Sequence, residues 1–181
     1  MIRIADIAAG LRVPRWTFQT ALPLSVLQHS VFVSRQVTQA AAPYALLHDA
    51  HEAYLGDHSS PVKAAIVALI ARAGLDLDPV KMLEDRFDRA IFHRFGLAWP
   101  MPAHIATAVK FADLQALATE KRDLVSFFAK ATQDRADLSS VASAQDGLPP
   151  PLPETIRPMP WPKAQDQFME RFCALFPGYT E

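Results

Sequence analysis

Apolar residues recur at helical spacing along most of the chain. Leu24, Leu27, Val31, Val33 and Val37 follow the steps of one helix face, which predicts a helix from Leu24 to about Ala41. Before it, "IADIAAGLR" predicts a short first helix. "RVPRWTFQTALP", bounded by Pro14 and Pro23, predicts a loop. Pro43 opens a further helix and Gly56 closes it. "DHSSP" is a turn-rich link, with Pro61 at the first position of the helix that follows. "DPVKMLEDRFDRAIFHRFG" reads as another helix, opened by Asp78 and Pro79 and closed by Gly96. "WPMP" breaks the chain, and a long helix is expected from about Pro102 to Lys130. "DGLPPPLPETIRPMPWP" holds seven of the 15 prolines, so a structured or semi-rigid loop is expected within about 136–162. A terminal amphipathic helix, "KAQDQFMERFCALF", closes the chain. No alternation is long enough to argue for a sheet, and no internal repeat is visible. The expected fold class is all-α, with residues 1–181 forming a single domain.

Composition supports a packed domain. Of 181 residues, 50% are hydrophobic and 20% charged, which is too apolar for a disordered chain. The net charge of −1 lacks the basic excess that duplex nucleic acid requires, but leaves room for a small anionic ligand held by a few local cations. The single Cys173 cannot form an internal disulfide, which suits a reducing compartment, and its helical apolar setting predicts a buried residue. No targeting segment or membrane-length apolar run is present, so a cytoplasmic location with no membrane partner is expected. Phe168, Met169, Phe172, Leu175 and Phe176 give the terminal helix more apolar surface than one packed side needs, which predicts a homo-oligomer.

The candidate chemistry is concentrated in "ALLHDAHEAYLGDHSSPVK". Half of the six histidines, His48, His51 and His58, stand there with Asp49, Glu52 and Asp57. On one helix His48 and Glu52 share a face, and so do Asp49 and Glu52. An adjacent His-Asp pair offers a nitrogen and an oxygen to one point, a donor set that suits divalent transition metals. The best partners from elsewhere are His29 and Asp113, polar residues within apolar helical segments. "HEAYL" starts like a zinc-protease motif but has Leu55 where the second His is needed. No Gly-rich phosphate loop is present. His58, His93 and His104 are expected to be solvated. Lys121 and Arg122, beside Glu120 and Asp123, are expected to form a structural ion-pair network.

The order His … His-Asp … Asp, with "QHSVFVSR", "LLHDAHEAYLGD", "SPVK" and "ADLQALATEKRDL", resembles the small HD-domain metal-dependent phosphohydrolases of bacteria and phages. That group includes 5'-deoxynucleotidases and deoxyadenosine triphosphate triphosphohydrolases. The resemblance covers roughly residues 2–130 and implies an HD-domain helical bundle. It implies that His29, His48, Asp49 and Asp113 bind a divalent ion (Mn, Co, Zn, Fe or Mg). Glu52 would activate or orient water, and Asp57 would stand near the reacting phosphate. Arg15, Trp16, Phe18 and Lys63 would meet the nucleotide. His51 stands where small residues are common in these relatives, and either reaches a second metal or faces solvent. The implied activity removes a 5'-monophosphate or a whole triphosphate from 2'-deoxynucleotides. The alternatives are a non-catalytic HD module that senses a nucleotide or binds a partner, and a cyclic-nucleotide phosphodiesterase.

Overall fold

The structure is a computed structural model and describes residues 2–125 and 147–179. Its elements are helical: α1 (Ile4–Gly10), α2 (Val26–Arg35), α3 (Ala42–Leu47), α4 (Glu52–Leu55), α5 (Ser60–Arg72), α6 (Pro79–Arg94), α7 (Ala103–Glu120) and α8 (Trp161–Leu175). Among the described residues there is no β-strand, only an isolated bridge between Pro14 and Ser25. The all-α expectation therefore holds. No described helix is long and apolar enough to cross a membrane.

Local chemistry sets the starts and stops. The Ser25 hydroxyl accepts from the Gln28 N–H at the head of α2, and the Asp78 carboxylate accepts from the Lys81 N–H at the head of α6. Pro43, Pro61, Pro79 and Pro162 all fall in first turns, where a missing N–H costs nothing. Trp161 and Pro162 thus belong to α8, and the Pro-rich loop ends at Pro160.

Two helices are shorter than the apolar spacing suggests. α2 stops at Arg35 rather than Ala41, because the chain reverses at Thr38, whose carbonyl accepts from the N–H groups of Ala41 and Ala42. α7 changes at Glu120 into a wider π turn, Lys121–Val125. Its expected continuation to Lys130, and loop residues 136–146, lie outside the described residues. The described part of the loop is structured, as expected. Gln28 donates to the Arg157 carbonyl and accepts from the Met159 N–H, and Arg122 donates to the carbonyls of Leu152 and Glu154.

α2 lies at the centre, packed on α3, α7 and α8, while α1 packs on α4 and α8. α3 is nearly all core, with Tyr44, Ala45, Leu46 and Leu47 buried. α5 and α6 form a peripheral hairpin, and α5 buries none of its residues. On α8, Ala164, Phe168, Phe172 and Leu175 face the core, and Met169 and Phe176 pack against it. The apolar face that suggested an oligomer is therefore used within the chain. Cys173, expected to be buried, is exposed, because it lies off the core-facing stripe formed by residues 164, 168, 172 and 175.

Candidate metal centre

The helix expected between Pro43 and Gly56 is interrupted. Between α3 and α4 the chain tightens, and the N–H groups of Ala50, Glu52, Ala53 and Tyr54 donate to the carbonyls of Leu47, Asp49, Ala50 and His51, three residues back. The His48 ring contributes to this change. Its Nδ1 sits 2.8 Å from the Ala45 carbonyl oxygen, the acceptor that the next turn of a regular helix would use. The tighter winding eclipses residues three apart, so Asp49 is set beside Glu52. Gly56 ends α4 with φ 83° and ψ 157°, a conformation closed to other residues, and so sets the path of Asp57.

Four side chains from three parts of the fold converge: His29 from α2, His48 and Asp49 from the tight turn, Asp113 from α7. His29 Nε2 is 3.3 Å from His48 Nε2, 3.3 Å from Asp113 Oδ1 and 3.5 Å from Asp49 Oδ2. His48 Nε2 is 3.2 Å from Asp49 Oδ2 and 3.8 Å from Asp113 Oδ1. Donors bound at about 2.1 Å to one ion stand about 3.0 to 3.4 Å apart at neighbouring vertices, so these spacings fit a single divalent cation.

The hydrogen-bond partners of the two rings assign tautomers that agree with this geometry. His29 Nδ1 is 2.6 Å from Glu120 Oε1, and His48 Nδ1 faces the Ala45 carbonyl. Each ring therefore donates through Nδ1 and turns the Nε2 lone pair inward, as metal-bound imidazoles do. Two lone pairs facing each other at 3.3 Å require a cation, either a proton or a metal. Burial opposes charge on His48, but Asp49 and Asp113 outweigh it and raise the imidazole pKa well above its usual value. Burial also opposes ionisation of Asp113, yet His29 and His48 hold its carboxyl far below the usual range.

Glu120 is the residue that sequence reasoning placed wrongly. The sequence pairs it with Lys121 and Arg122 in a structural ion-pair network, but its side chain is 0% exposed and meets other partners. Its Oε1 holds His29, and its Oε2 accepts from Trp16 Nε1 at 2.9 Å and from Arg15 Nε at 3.1 Å. The available signal was its spacing of seven from Asp113, two turns along one face of α7. Arg122 does pair with Asp123, as expected.

The Arg15–Phe18 turn is strained, with Trp16, Thr17 and Phe18 at φ 59°, 48° and 63°. Such backbone costs about 1–3 kcal/mol per residue and persists only where surroundings impose it. Here Glu120 grips both Arg15 and Trp16. Arg15 Nη1 also lies 3.4 Å from Asp49 Oδ2, so its guanidinium sits at the edge of the cluster. Phe18 points to solvent, at 66% exposed. Lys63 lies on α5 and donates to Glu84 Oε1 on α6 at 2.7 Å.

Glu52 is 6% exposed, and its Oε2 is buried with no hydrogen-bond partner. Burial, and then the charges of Asp49 and Asp57, push its pKa up to about 9. Asp57 is half-buried, and burial raises its pKa as well. His51 does not face solvent. It is 7% exposed, and its Nδ1 lies 2.9 Å from Asp88 Oδ1 on α6, a partner that no local spacing discloses. His58, His93 and His104 are exposed, as expected.

Fold and site together define an all-α protein with a buried His/Asp/Glu cluster compatible with an HD-type metal centre. No family profile matches the sequence. The chain is 34% identical over 175 residues to the uncharacterized protein YfdR of Escherichia coli, an alignment covering 96% of this chain and 84% of that protein. It is 38% identical over 144 residues to an uncharacterized protein of Rhodobacter capsulatus, covering 74% of this chain and 68% of that protein. The chain belongs to the family of YfdR.

Proposed function

We propose that this protein is an HD-type metal-dependent phosphohydrolase acting on nucleotides, with 2'-deoxynucleotides as the preferred class and release of a 5'-monophosphate or a whole triphosphate. The observation that carries the reading is the pair of inward Nε2 lone pairs of His29 and His48, 3.3 Å apart and flanked by Asp49 and Asp113. His29, His48, Asp49 and Asp113 would hold the divalent cation, which when bound would supply water of lowered pKa, neutralise a phosphate oxygen and favour the ionised form of Glu52.

The chain's own groups account for the rest. Water attacks phosphorus, and Glu52, near Asp49 and without a hydrogen-bond partner at Oε2, takes its proton. The bond from phosphorus to the nucleoside 5'-oxygen breaks, and that oxygen takes a proton from Asp57, whose raised pKa suits a donor. Arg15, at the cluster's edge, is placed to share its guanidinium with a phosphate oxygen. Glu120 keeps His29 and the Arg15–Trp16 turn in register with each other.

The test is metal analysis combined with a product screen. Purified protein is incubated with nucleoside mono- and triphosphates and with cyclic nucleotides, under several divalent metals, and products are resolved by chromatography. The expected result is metal-dependent release of phosphate or triphosphate, best from deoxy forms. His48→Ala is expected to lose bound metal and activity together while its helical spectrum persists. Wild-type metal content in His48→Ala would overturn the site, and wild-type protein that binds metal yet releases nothing would favour a non-catalytic module.

A further inference from the structure

We propose that Lys110 is the movable cation that grips the substrate's phosphate, passing from Asp113 to a phosphate oxygen as substrate binds. This rests on the phosphohydrolase reading, and it adds a substrate-binding residue outside the set that the resemblance implies. Asp113 has two sides. Its Oδ1 lies 3.3 Å from His29 Nε2 and 3.8 Å from His48 Nε2, inside the cluster. Its Oδ2 accepts from Lys110 Nζ at 3.0 Å. The two residues are three apart on α7 and share a face. The ammonium therefore stands one carboxylate away from the point on which the two Nε2 lone pairs converge.

Freedom to move separates Lys110 from the other cations near the centre. Arg15 is largely buried and held at two points, by Glu120 and by Asp49, so it is fixed. Lys63 donates to Glu84 Oε1 at 2.7 Å, and that pair ties α5 to α6. Lys110 is 67% exposed, and its ion pair with Asp113 is of the weak, solvent-facing kind. An ammonium on a flexible four-carbon stem leaves such a partner at little cost. The charges call for a cation of this sort. Asp49 and Asp113 would balance a divalent ion, Glu120 balances Arg15, and Glu52 and Asp57 add no positive charge. A phosphate monoester carries a charge of about −2 at neutral pH, which the surplus carboxylates repel. With the charge of Asp113 taken up by an ion, a phosphate oxygen becomes the stronger partner for Lys110. Two effects of opposite sign follow. Lys110 competes with the ion for Asp113, and it adds to the hold on phosphate.

The test uses the full chain loaded with Mn²⁺ and dialysed free of excess, with inorganic phosphate as the probe and calorimetric titration as the readout; Mn²⁺ affinity is measured separately on chelated protein. Lys110→Gln is expected to bind phosphate about 10–100-fold more weakly, the usual loss of a hydrogen bond between charged groups. The same variant is expected to bind Mn²⁺ at least as tightly as wild type, because a competitor for Asp113 is gone. Lys110→Arg, which restores the charge, is expected to recover phosphate binding. Lys81→Gln, which breaks an exposed ion pair with Asp85 on α6, is expected to match wild type in both. Equal phosphate affinity in Lys110→Gln and wild type would overturn the proposal, and so would a larger loss in Lys63→Gln than in Lys110→Gln. Weaker Mn²⁺ binding in Lys110→Gln would also overturn it, since Lys110 would then serve to hold Asp113 in place. Mn²⁺-loaded wild type that binds no phosphate would remove the phosphohydrolase reading itself.

Discussion

At the residue scale, the centre depends as much on what holds the ligands as on the ligands. Glu120 is buried and ionised: burial opposes its charge, but Arg15, His29 and Trp16 lower its pKa below the usual value. It fixes the His29 tautomer through a 2.6 Å contact. Glu120→Gln keeps the shape but removes the charge and weakens the hold on Nδ1–H. Loss of such an outer partner costs about 10–100-fold in metal affinity. Glu120→Gln should therefore bind Mn²⁺ more weakly by about that factor, read by calorimetric titration, while Asp123→Asn, on the Arg122 network, should bind as wild type. Equal affinities in Glu120→Gln and wild type would remove Glu120 from the centre's support.

At the element scale, the close crossing of α1 and α4 positions Glu52. A Cβ on Gly10 would stand 2.5 Å from the Ala53 carbonyl oxygen and 2.7 Å from its Cα. Both are backbone atoms, so the two elements would have to separate. Gly10→Ala should destabilise the protein by about 1–3 kcal/mol in denaturant unfolding, the usual cost of overpacking. Because α4 carries Glu52, turnover should fall more than Mn²⁺ affinity at the centre, whose ligands lie outside α1 and α4. A stable Gly10→Ala protein with full turnover would show that this contact does not position Glu52. The π turn after Glu120 belongs to the same scale. It follows directly on the helix that carries both Asp113 and Glu120, and π turns of this kind are frequent at functional sites.

At the scale of the whole molecule, the buried charges make stability depend on pH with a definite sign. His29 and His48 have folded pKa values raised above the ordinary 6.5: burial lowers both, and Arg15 lowers His29, but nearby carboxylates prevail. Burial, with Asp49 and Asp57, raises Glu52 from 4.5 to about 9. Above the unfolded values the folded chain binds more protons than the unfolded chain, so metal-free protein should lose stability as pH rises from about 6 to 9. Asp49 and Asp113 are lowered from 3.8, burial notwithstanding, by His48 and His29, and they add a separate loss only in acid. A divalent cation bound at the cluster would reverse the alkaline trend, because its ligands must be deprotonated. Melting curves should therefore fall with pH after chelation and rise with pH in excess Mn²⁺, and Glu52→Gln should flatten the chelated profile. A chelated profile level from pH 6 to 9 would contradict this.

The helices were legible because they depend on near neighbours. Ser25 and Asp78 cap within three residues, prolines mark first turns, and apolar spacing marks the faces that α2 and α8 bury. His29 and Asp113 could be picked out as partners for the His48-Asp49 pair because polar residues in apolar helical segments need partners, and the resemblance to HD-domain proteins supplied the four as a set. The tight turn at 48–51 was not legible, since it reflects a ring competing for a backbone carbonyl. Neither was the burial of His51 against Asp88, 37 residues away, nor the inward turn of Glu120 beneath Arg15 and Trp16. Sequence alone determined the helical class and the donor chemistry, because those follow from local backbone preference and side-chain type. Only the tertiary structure decided which donors meet, which carboxylates ionise and which carry protons. Those outcomes depend on distance and burial between segments far apart in the chain, and neither is encoded in local spacing.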